Sequence, residues 1–235
     1  ATRGGVLMQI VLAILAVVLA YVIGSVPVGL LIVKIVTGKD IREVESGRTG
    51  GTNAMRAAGF WAGFATAMLD IVKGAAGVWV ARWLTPDLPV VHMIAPLAAI
   101  LGHNHSIFLP ERDENGRIIR LRGGAGGAPS VGGAMGLYLP SILIVLPLGM
   151  LTFFSIGIAS VTTMAVALYS TLAFAYYASQ GIIPWAYVLY GVGAEILLVL
   201  ALRPNIKRLF EGNERVVKYS LNGWLRKRKE EKAAK

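Results

Sequence analysis

The sequence predicts an all-α integral membrane protein with about seven transmembrane helices, and two observations support that prediction. First, 55% of the 235 residues are hydrophobic and only 15% are charged, whereas about 25% of a soluble domain is charged. Second, apolar runs of roughly 20 residues, enough to cross a bilayer, alternate with short polar segments that hold most of the lysines and arginines. The net charge of +10 therefore reflects the flanks of membrane helices and does not indicate nucleic-acid binding.

The first three spans follow directly from the apolar runs. They are expected at about 6–32, 58–83 and 88–109, and the first is too long for the apolar part of a signal peptide, so we expect it to be retained. The basic loops at 34–56 and 110–124 should face the cytoplasm, because short cytoplasmic loops are enriched in lysine and arginine. This alternation places the N-terminus outside.

The region from 126 to 202 is harder to divide into helices. The basic tail from Arg203 should also be cytoplasmic, so an even number of crossings must fit before it. Prolines and glycines offer breaks for four short helices, which gives seven in all; six is the alternative, but it conflicts with the charge rule. We expect one transmembrane domain over 1–223 and a basic cytoplasmic tail over 224–235, either a surface helix or a frayed end near anionic headgroups.

Three polar clusters interrupt the apolar chain. Residues 40–56 combine hydroxyls, an asparagine, glycines and three arginines. Residues 122–130 are rich in glycine, and such a loop can cradle an anion with its N–H groups where a helix begins. Arg122 could add a phosphate contact there, although a flexible connector would have the same composition. Residues 203–214 form either part of a site or only a basic helix flanking the membrane.

Several ionisable side chains fall inside predicted spans. Asp70 and Lys73 are three positions apart and thus share a helix face. They form either part of a functional site or a structural ion pair with a snorkelling lysine. Glu195 lies in the last span without an evident partner. Cysteine is absent and only three histidines occur, so we expect neither thiolate chemistry nor a metal cluster.

Six motifs occur in the order seen in one family, the bacterial membrane glycerol-3-phosphate acyltransferases that use acyl phosphate as donor, which this chain resembles. Residues 24–29 are similar to GSxPxG, 40–56 to DxRxxGSGNxGATNxxR, 70–74 to DxxKG, 102–108 to GHxxPVF, 122–126 to KGGKG, and 202–214 to HxxNIxRLxxGxE.

The resemblance implies a seven-helix protein of the bacterial plasma membrane with its motif loops in the cytoplasm. Such enzymes transfer an acyl group from acyl phosphate to glycerol 3-phosphate, which gives lysophosphatidic acid, and they need no cofactor or metal. It implies three catalytic residues: Ser46, Arg56 and Asn205. It implies these substrate-binding residues: Thr52, Asn53, Lys73, His103, Arg122, Gly123, Gly124 and Gly126. Ser46, Asn53, Arg56 and Asn205 would hold glycerol 3-phosphate, and Arg122 with the glycine loop would hold the acyl phosphate.

The chain departs from the family pattern where the chemistry is expected. Arg48 stands in place of an asparagine and Glu45 in place of a glycine. Ala125 replaces the second lysine of KGGKG, Leu202 replaces the histidine of HxxNI, and about ten residues at 111–121 are inserted. Two substrates that are both partly dianionic must be brought together, so losing a cation weakens the site. Five arginines could compensate in charge but not in geometry: Arg48, Arg56, Arg120, Arg122 and Arg203.

Two hypotheses from different classes follow. In the first, the protein is an acyltransferase whose substrates are glycerol 3-phosphate and acyl phosphate, with membrane lipids around it. In the second, it is a catalytically degenerate paralogue that acts as a structural or lipid-binding subunit, with protein partners in a larger membrane complex. The intramembrane charges Asp70, Lys73 and Glu195 leave a transporter as a third reading.

Overall fold

The computed structural model describes residues 3–233, and in that part of the chain ten α-helices and one small β-hairpin are formed. The helices are α1 (Arg3–Ser25), α2 (Val28–Thr37), α3 (Gly51–Ala58), α4 (Phe60–Leu84), α5 (Pro89–Asn104), α6 (Gly127–Leu137), α7 (Ile142–Ile156), α8 (Ala159–Ser179), α9 (Ala186–Phe210) and α10 (Leu221–Ala233). The hairpin strands are β1 (Pro110–Arg112) and β2 (Ile118–Leu121).

The first apolar run, expected as one span at about 6–32, forms a single apolar span in the structure, and its helix is interrupted near Pro27. α1 ends at Ser25, and α2 starts at Val28 after Pro27. Proline has no N–H to donate and disfavours helical dihedrals in the residue before it, which explains a break at this point. The two helices remain joined in one apolar segment that extends from Gly4 to Thr37.

Five helical segments of residues 3–233 are long and apolar enough to cross a membrane. They are Gly4–Thr37, Phe60–Leu84, Leu139–Ile156, Ala159–Ser179 and Ala186–Phe210. α5 has 16 residues and α6 has 11, so at ~1.5 Å per residue they are shorter than a full crossing. Four helices, α6 to α9, occupy the region where four crossings were expected. The total of seven crossings and the side of each terminus stay predictions.

The bundle is held together by an aromatic core and by close contacts at glycine. Tyr190 and Phe174 are fully buried between α5, α6, α8 and α9, and the Tyr190 hydroxyl donates to the Ser130 carbonyl at 2.7 Å. Between α4 and α6 the backbones nearly touch, since a methyl group on Gly132 would lie 1.8 Å from the carbonyl oxygen of Ile71. Such contacts are typical of helices that pack in lipid.

The inserted segment 111–121 is a β-hairpin. β1 pairs antiparallel with β2, and an Asp113 carboxylate oxygen accepts from the backbone N–H groups of Asn115 and Arg117 at the turn. The hairpin follows a loop, because α5 ends at Asn104, so the predicted helical span of 88–109 was five residues too long at its C-terminal end.

The C-terminal segment returns to the bundle before its last helix. The Val217 N–H donates to the Gly157 carbonyl at 2.7 Å, and Ile158 pairs with Val216 as an isolated bridge. α10 then begins at Leu221, three residues before the predicted tail, and the last two residues of that tail lie outside the described chain. The division into 1–223 and 224–235 stays a prediction.

Candidate active site

Two adjoining cavities open at the end of the bundle where the loop 40–56, the glycine-rich loop and the end of α9 meet. The first, the apolar groove, has a volume of about 440 Å³. Its wall consists of side chains from α4, α7 and α8, among them Phe60, Phe64, Met68, Leu146, Met150, Phe153 and Val166. Its other end is polar and includes Ser46, Thr52, Arg56 and Asn205. The groove therefore leads from a polar end to an apolar wall, where Phe60, Phe64 and Met150 are exposed on the surface of the bundle.

The second, the basic cavity, has a volume of about 390 Å³. Five arginines line it: Arg48, Arg120, Arg122, Arg208 and Arg215. Gly123 and Gly124 form part of its wall, so the hairpin and the glycine-rich loop both contribute to it. Ser46, Arg48, Asn205 and Arg215 line both cavities, so the junction between the two cavities lies at these residues.

The loop that carries Ser46 is held in a sharp turn. Glu45 and Gly47 both have left-handed backbone dihedrals, with φ of 47° and 65°, an uncommon conformation for a residue with a side chain. The buried Asn53 fastens this loop, because its Nδ2 lies 2.9–3.1 Å from the carbonyl oxygens of Ile41, Val44 and Arg48. Asn53 thus shapes the loop around Ser46.

The outer edge of the same loop is closed by an ion pair. The Arg42 guanidinium contacts the Asp40 carboxylate through Nη2 at 2.6 Å, and the Arg42 backbone N–H donates to the same carboxylate at 2.8 Å. These hydrogen bonds hold the pKa of Asp40 below its ordinary value.

Two helix N-termini face the apolar groove. Gly51 and Thr52 at the start of α3 line it, and so do Gly127 and Ala128 at the start of α6. The first N–H groups of a helix have no partner within the helix, and the helix dipole favours an anion there. In the glycine-rich loop itself, the Gly124 N–H already donates to the His103 carbonyl at 2.8 Å. The N–H groups at the two helix starts are therefore available to an anion, and that of Gly124 is not.

Two half-buried arginines add positive charge at the polar end. Burial lowers the pKa of both Arg48 and Arg56, although an arginine stays protonated in a protein. Neither contacts a carboxylate within 4.0 Å among residues 3–233. A desolvated cation without a counter-ion is costly, so these side chains favour an anionic ligand.

Asn205 belongs to a hydrogen-bonded network at the end of α9. Its Nδ2 donates to Glu214 Oε1 at 2.9 Å, and its Oδ1 accepts from Arg48 Nη2 at 3.1 Å. Arg208 Nε donates to the other Glu214 oxygen at 2.9 Å. The orientation of the Asn205 amide is therefore fixed by a carboxylate on one side and a guanidinium on the other.

The intramembrane charges form a buried cluster beside the groove. Lys73 Nζ lies 2.8 Å from Asp70 Oδ1 and donates to the Val26 carbonyl at 2.9 Å, and His103 Nδ1 lies 3.6 Å from the same carboxylate oxygen. Asp70 and His103 line the groove, whereas Lys73 does not. Lys73 therefore compensates the charge of the Asp70 carboxylate without lining the groove, as a buried ion pair requires.

All the predicted site residues except Lys73 line one or both cavities. The apolar groove includes Ser46, Thr52, Asn53, Arg56, His103, Gly126 and Asn205. The basic cavity includes Ser46, Arg122, Gly123, Gly124 and Asn205. Three further side chains, Arg48, Glu214 and Arg215, belong to the site but were not among the predicted residues. Two features of the sequence could have identified them. Arg48 is a departure from the family pattern, and Glu214, which is followed directly by Arg215, is the last residue of the final motif.

Comparison with known proteins identifies relatives of this chain. A family model described as glycerol-3-phosphate acyltransferase matches residues 14–212. Glycerol-3-phosphate acyltransferase 2 of Moorella thermoacetica is 34% identical over 205 residues, covering 86% of this chain and 95% of the relative. Glycerol-3-phosphate acyltransferase of Desulfovibrio desulfuricans is 34% identical over 223 residues, covering 95% of this chain and 90% of the relative.

The fold is also similar to a solved structure. The glycerol 3-phosphate form of PlsY (YgiH), an integral membrane glycerol 3-phosphate acyltransferase, superposes with a TM-score of 0.69 at 26% identity, covering 87% of this chain and 94% of that chain. The lysophosphatidic acid form superposes with a TM-score of 0.67 at 25% identity. With its apolar helices, the chain is thus a multi-pass integral membrane protein. Its sequence and its fold together show that it belongs to the glycerol-3-phosphate acyltransferase family.

Proposed function

We propose that this protein transfers an acyl group from acyl phosphate to the first hydroxyl of glycerol 3-phosphate, which gives lysophosphatidic acid and inorganic phosphate. The observation that supports this most is the junction of an apolar groove and a basic cavity at Ser46, Arg48 and Asn205. An acyl phosphate has an apolar tail and an anionic head, and glycerol 3-phosphate is a small polar anion. Each substrate thus has a cavity of matching chemistry.

The acyl chain fits the groove because its wall between α4, α7 and α8 is apolar. The head of the donor then lies at the polar end, near the N-termini of α3 and α6 and Arg56. Arg56 lines only the groove and Arg122 only the basic cavity, so the substrates proposed for these two arginines are the reverse of those that the family resemblance implied. Backbone N–H groups and a guanidinium favour a phosphate there. They also stabilise the negative charge that develops on the carbonyl oxygen and the leaving phosphate during transfer.

Glycerol 3-phosphate fits the basic cavity, with its hydroxyl directed to the junction. Its hydroxyl oxygen forms the new ester bond to the acyl carbon, the bond from that carbon to the phosphate oxygen breaks, and the departing phosphate takes the hydroxyl proton. No protein base is needed, since the leaving group accepts the proton. Ser46 and Asn205 would orient the alcohol, and holding both substrates at a productive distance supplies most of the acceleration.

We infer the orientation in the membrane from charge. The loop 40–56, the hairpin and the tail from Arg203 hold most of the basic residues, which places the site on the cytoplasmic face of the bacterial plasma membrane. Both substrates are anions that do not cross a bilayer unaided. A site on this face would be reached directly by cytoplasmic substrates.

The test is an assay of purified protein with acyl phosphate and radiolabelled glycerol 3-phosphate, with lysophosphatidic acid as the measured product. Acyl-coenzyme A and acylated acyl-carrier protein serve as alternative donors in separate reactions. We expect product from acyl phosphate alone, and a loss of about 10- to 100-fold in kcat/KM for Arg56→Gln, because it removes a charged phosphate contact. Product from another donor only would refute the donor assignment. No product from any donor, with an intact family member active alongside, would favour the degenerate paralogue instead.

A further inference from the structure

We propose that Arg48 is a substrate-binding residue, and that its guanidinium supplies the cation that this chain lacks at Ala125 and Leu202. The ligand is a terminal phosphate group at the junction of the two cavities, from either glycerol 3-phosphate or the acyl phosphate. The proposal rests on the proposed function and identifies a further binding residue for it.

The position of Arg48 is the first argument. Its Nη1 donates to the Gly124 carbonyl at 3.0 Å, and its Nη2 donates to the Ala201 carbonyl at 2.6 Å. These carbonyls belong to the residues immediately before Ala125 and Leu202. Arg48, Ala125 and Leu202 all line the apolar groove. The guanidinium thus lies between the two positions where the family pattern has a lysine and a histidine.

The hydrogen-bond capacity of Arg48 is the second argument. A guanidinium has five N–H donors, and Arg48 uses three of them, on Gly124, Ala201 and Asn205. Its Nε–H and one Nη1–H have no acceptor within residues 3–233. A side chain held on three sides with two donors left is fixed in position and still able to bind an oxygen atom of a ligand. The two remaining donors lie on different edges of the guanidinium, so each can donate to one oxygen atom of an anion.

Charge balance is the third argument. The other cations that line the basic cavity already have carboxylate partners: Arg120 and Arg122 with Glu111, Arg208 with Glu214, and Arg215 with Glu45. Arg48 has none within 4.0 Å in the described part of the chain. Among the arginines of the two cavities, Arg48 shares this property only with Arg56. An anion at the junction would supply the missing counter-charge.

These observations connect three departures from the family pattern, those at Arg48, Ala125 and Leu202. An arginine entering from the loop at position 48 occupies the space between α9 and the glycine-rich loop. A lysine at 125 or a histidine at 202 beside it would add a second positive charge at short range, which is unfavourable. Alanine and leucine leave that space apolar. The site therefore keeps a cation, which comes from the loop 40–56 and not from the glycine-rich loop or α9.

The experiment compares Arg48→Gln with a matched control, Arg82→Gln. Arg82 Nη2 also donates to a helix carbonyl at 2.6 Å, that of Leu137, but it lines neither cavity. We expect Arg48→Gln to raise KM for at least one phosphate substrate, with kcat/KM reduced about 10- to 100-fold. Arg82→Gln should leave both KM values unchanged. Separate titrations of the two substrates identify which phosphate Arg48 binds.

A binding measurement keeps this proposal separate from the proposed function. Glycerol 3-phosphate should raise the thermal unfolding temperature of the wild type and of Arg82→Gln, because a ligand that binds only the folded state stabilises it. The stabilisation by glycerol 3-phosphate or by a non-hydrolysable acyl phosphonate should be lost in Arg48→Gln. A wild type that binds these ligands without turnover would refute the proposed function but not this inference. Unchanged stabilisation by both ligands in Arg48→Gln would refute this inference alone.

A triple variant tests whether Arg48 replaces the lysine and the histidine of the family pattern. Arg48→Asn combined with Ala125→Lys and Leu202→His restores the family pattern, and we expect at least tenfold more activity than Arg48→Asn alone, since a charged hydrogen bond is regained. Each variant is first checked for monodispersity in detergent. If Arg48→Gln does not fold, Arg48→Lys is used in its place. Lysine keeps the charge but lacks the planar guanidinium, so this variant should still show a raised KM. No gain in the triple variant would refute the exchange.

Discussion

The amide of Asn53 provides the most direct test of how the loop 40–56 is built. Asn53→Asp keeps the size of the side chain and removes its N–H donors. In the wild type, Nδ2 faces the carbonyl oxygens of Ile41, Val44 and Arg48 at 2.9–3.1 Å, and the side chain is 3% exposed. After the substitution a carboxylate oxygen faces these three acceptors, and no hydrogen bond can form.

The magnitude follows from the number of bonds lost. An amide nitrogen has two hydrogens, so two hydrogen bonds are removed, and each unsatisfied buried group costs about 1–3 kcal/mol. We expect Asn53→Asp to lower the free energy of unfolding by roughly 2–6 kcal/mol, which for a chain of this size corresponds to a fall of about 4–24 °C in the unfolding temperature. Repulsion between the carboxylate and the carbonyl oxygens adds to this cost.

The assay is thermal unfolding in detergent, measured beside activity. The control is Asn222→Asp, because Asn222 Nδ2 donates to a single carbonyl, that of Ile156, at the protein surface; it should unfold within about 2 °C of the wild type. If Asn53→Asp unfolds at the wild-type temperature and only its KM for glycerol 3-phosphate rises, the amide binds substrate and does not fasten the loop. That result would refute the reasoning.

Two further predictions concern packing and pH. Gly132→Ala should destabilise the protein by about 1–3 kcal/mol, because its new methyl group would lie 1.8 Å from the Ile71 carbonyl oxygen. The control Gly4→Ala, where a methyl group has no neighbour within 4 Å, should be neutral or stabilising in the same thermal unfolding assay. Equal unfolding temperatures for the two variants would contradict the close contact between α4 and α6. The Arg42 guanidinium lowers the pKa of Asp40, so the carboxylate stabilises the folded state above its ordinary pKa of about 3.9 and loses that effect as the pH falls through its lower folded-state value. Asp40→Asn should therefore be less stable than the wild type at pH 7, by up to about 1 kcal/mol for a partly exposed pair, and the difference should disappear at strongly acidic pH; a difference that persists in acid would contradict this assignment.

Most of the fold could be predicted from the sequence because hydrophobicity is a local property. The transfer of a segment into lipid depends on the residues of that segment, so the apolar runs locate the membrane helices without knowledge of their neighbours. Hydrophobicity does not show an interruption caused by a single residue, as at Pro27, and it placed the end of the third span five residues too late, at 109 instead of 104.

The site was predicted in composition but not in arrangement. Motif resemblance located Ser46, Arg56 and Asn205, and each lines a cavity in the structure. It could not show that Lys73 pairs with Asp70 without lining the groove, or that the side-chain amide of Asn53 faces three backbone carbonyl oxygens. Those facts depend on which atoms lie within 3 Å of each other, and a pattern of residue types does not contain distances.

The sequence by itself therefore determined that the chain is a helical membrane protein of the acyltransferase family, with polar loops suited to phosphate. Only the tertiary structure decided what the unusual Arg48 does. Its guanidinium meets the Ala201 carbonyl across 153 positions of sequence, and that approach results from the packing of the helices. Sequence alone offers Arg48 as one of several arginines that could compensate in charge for Ala125 and Leu202, whereas the fold brings these three positions to one point.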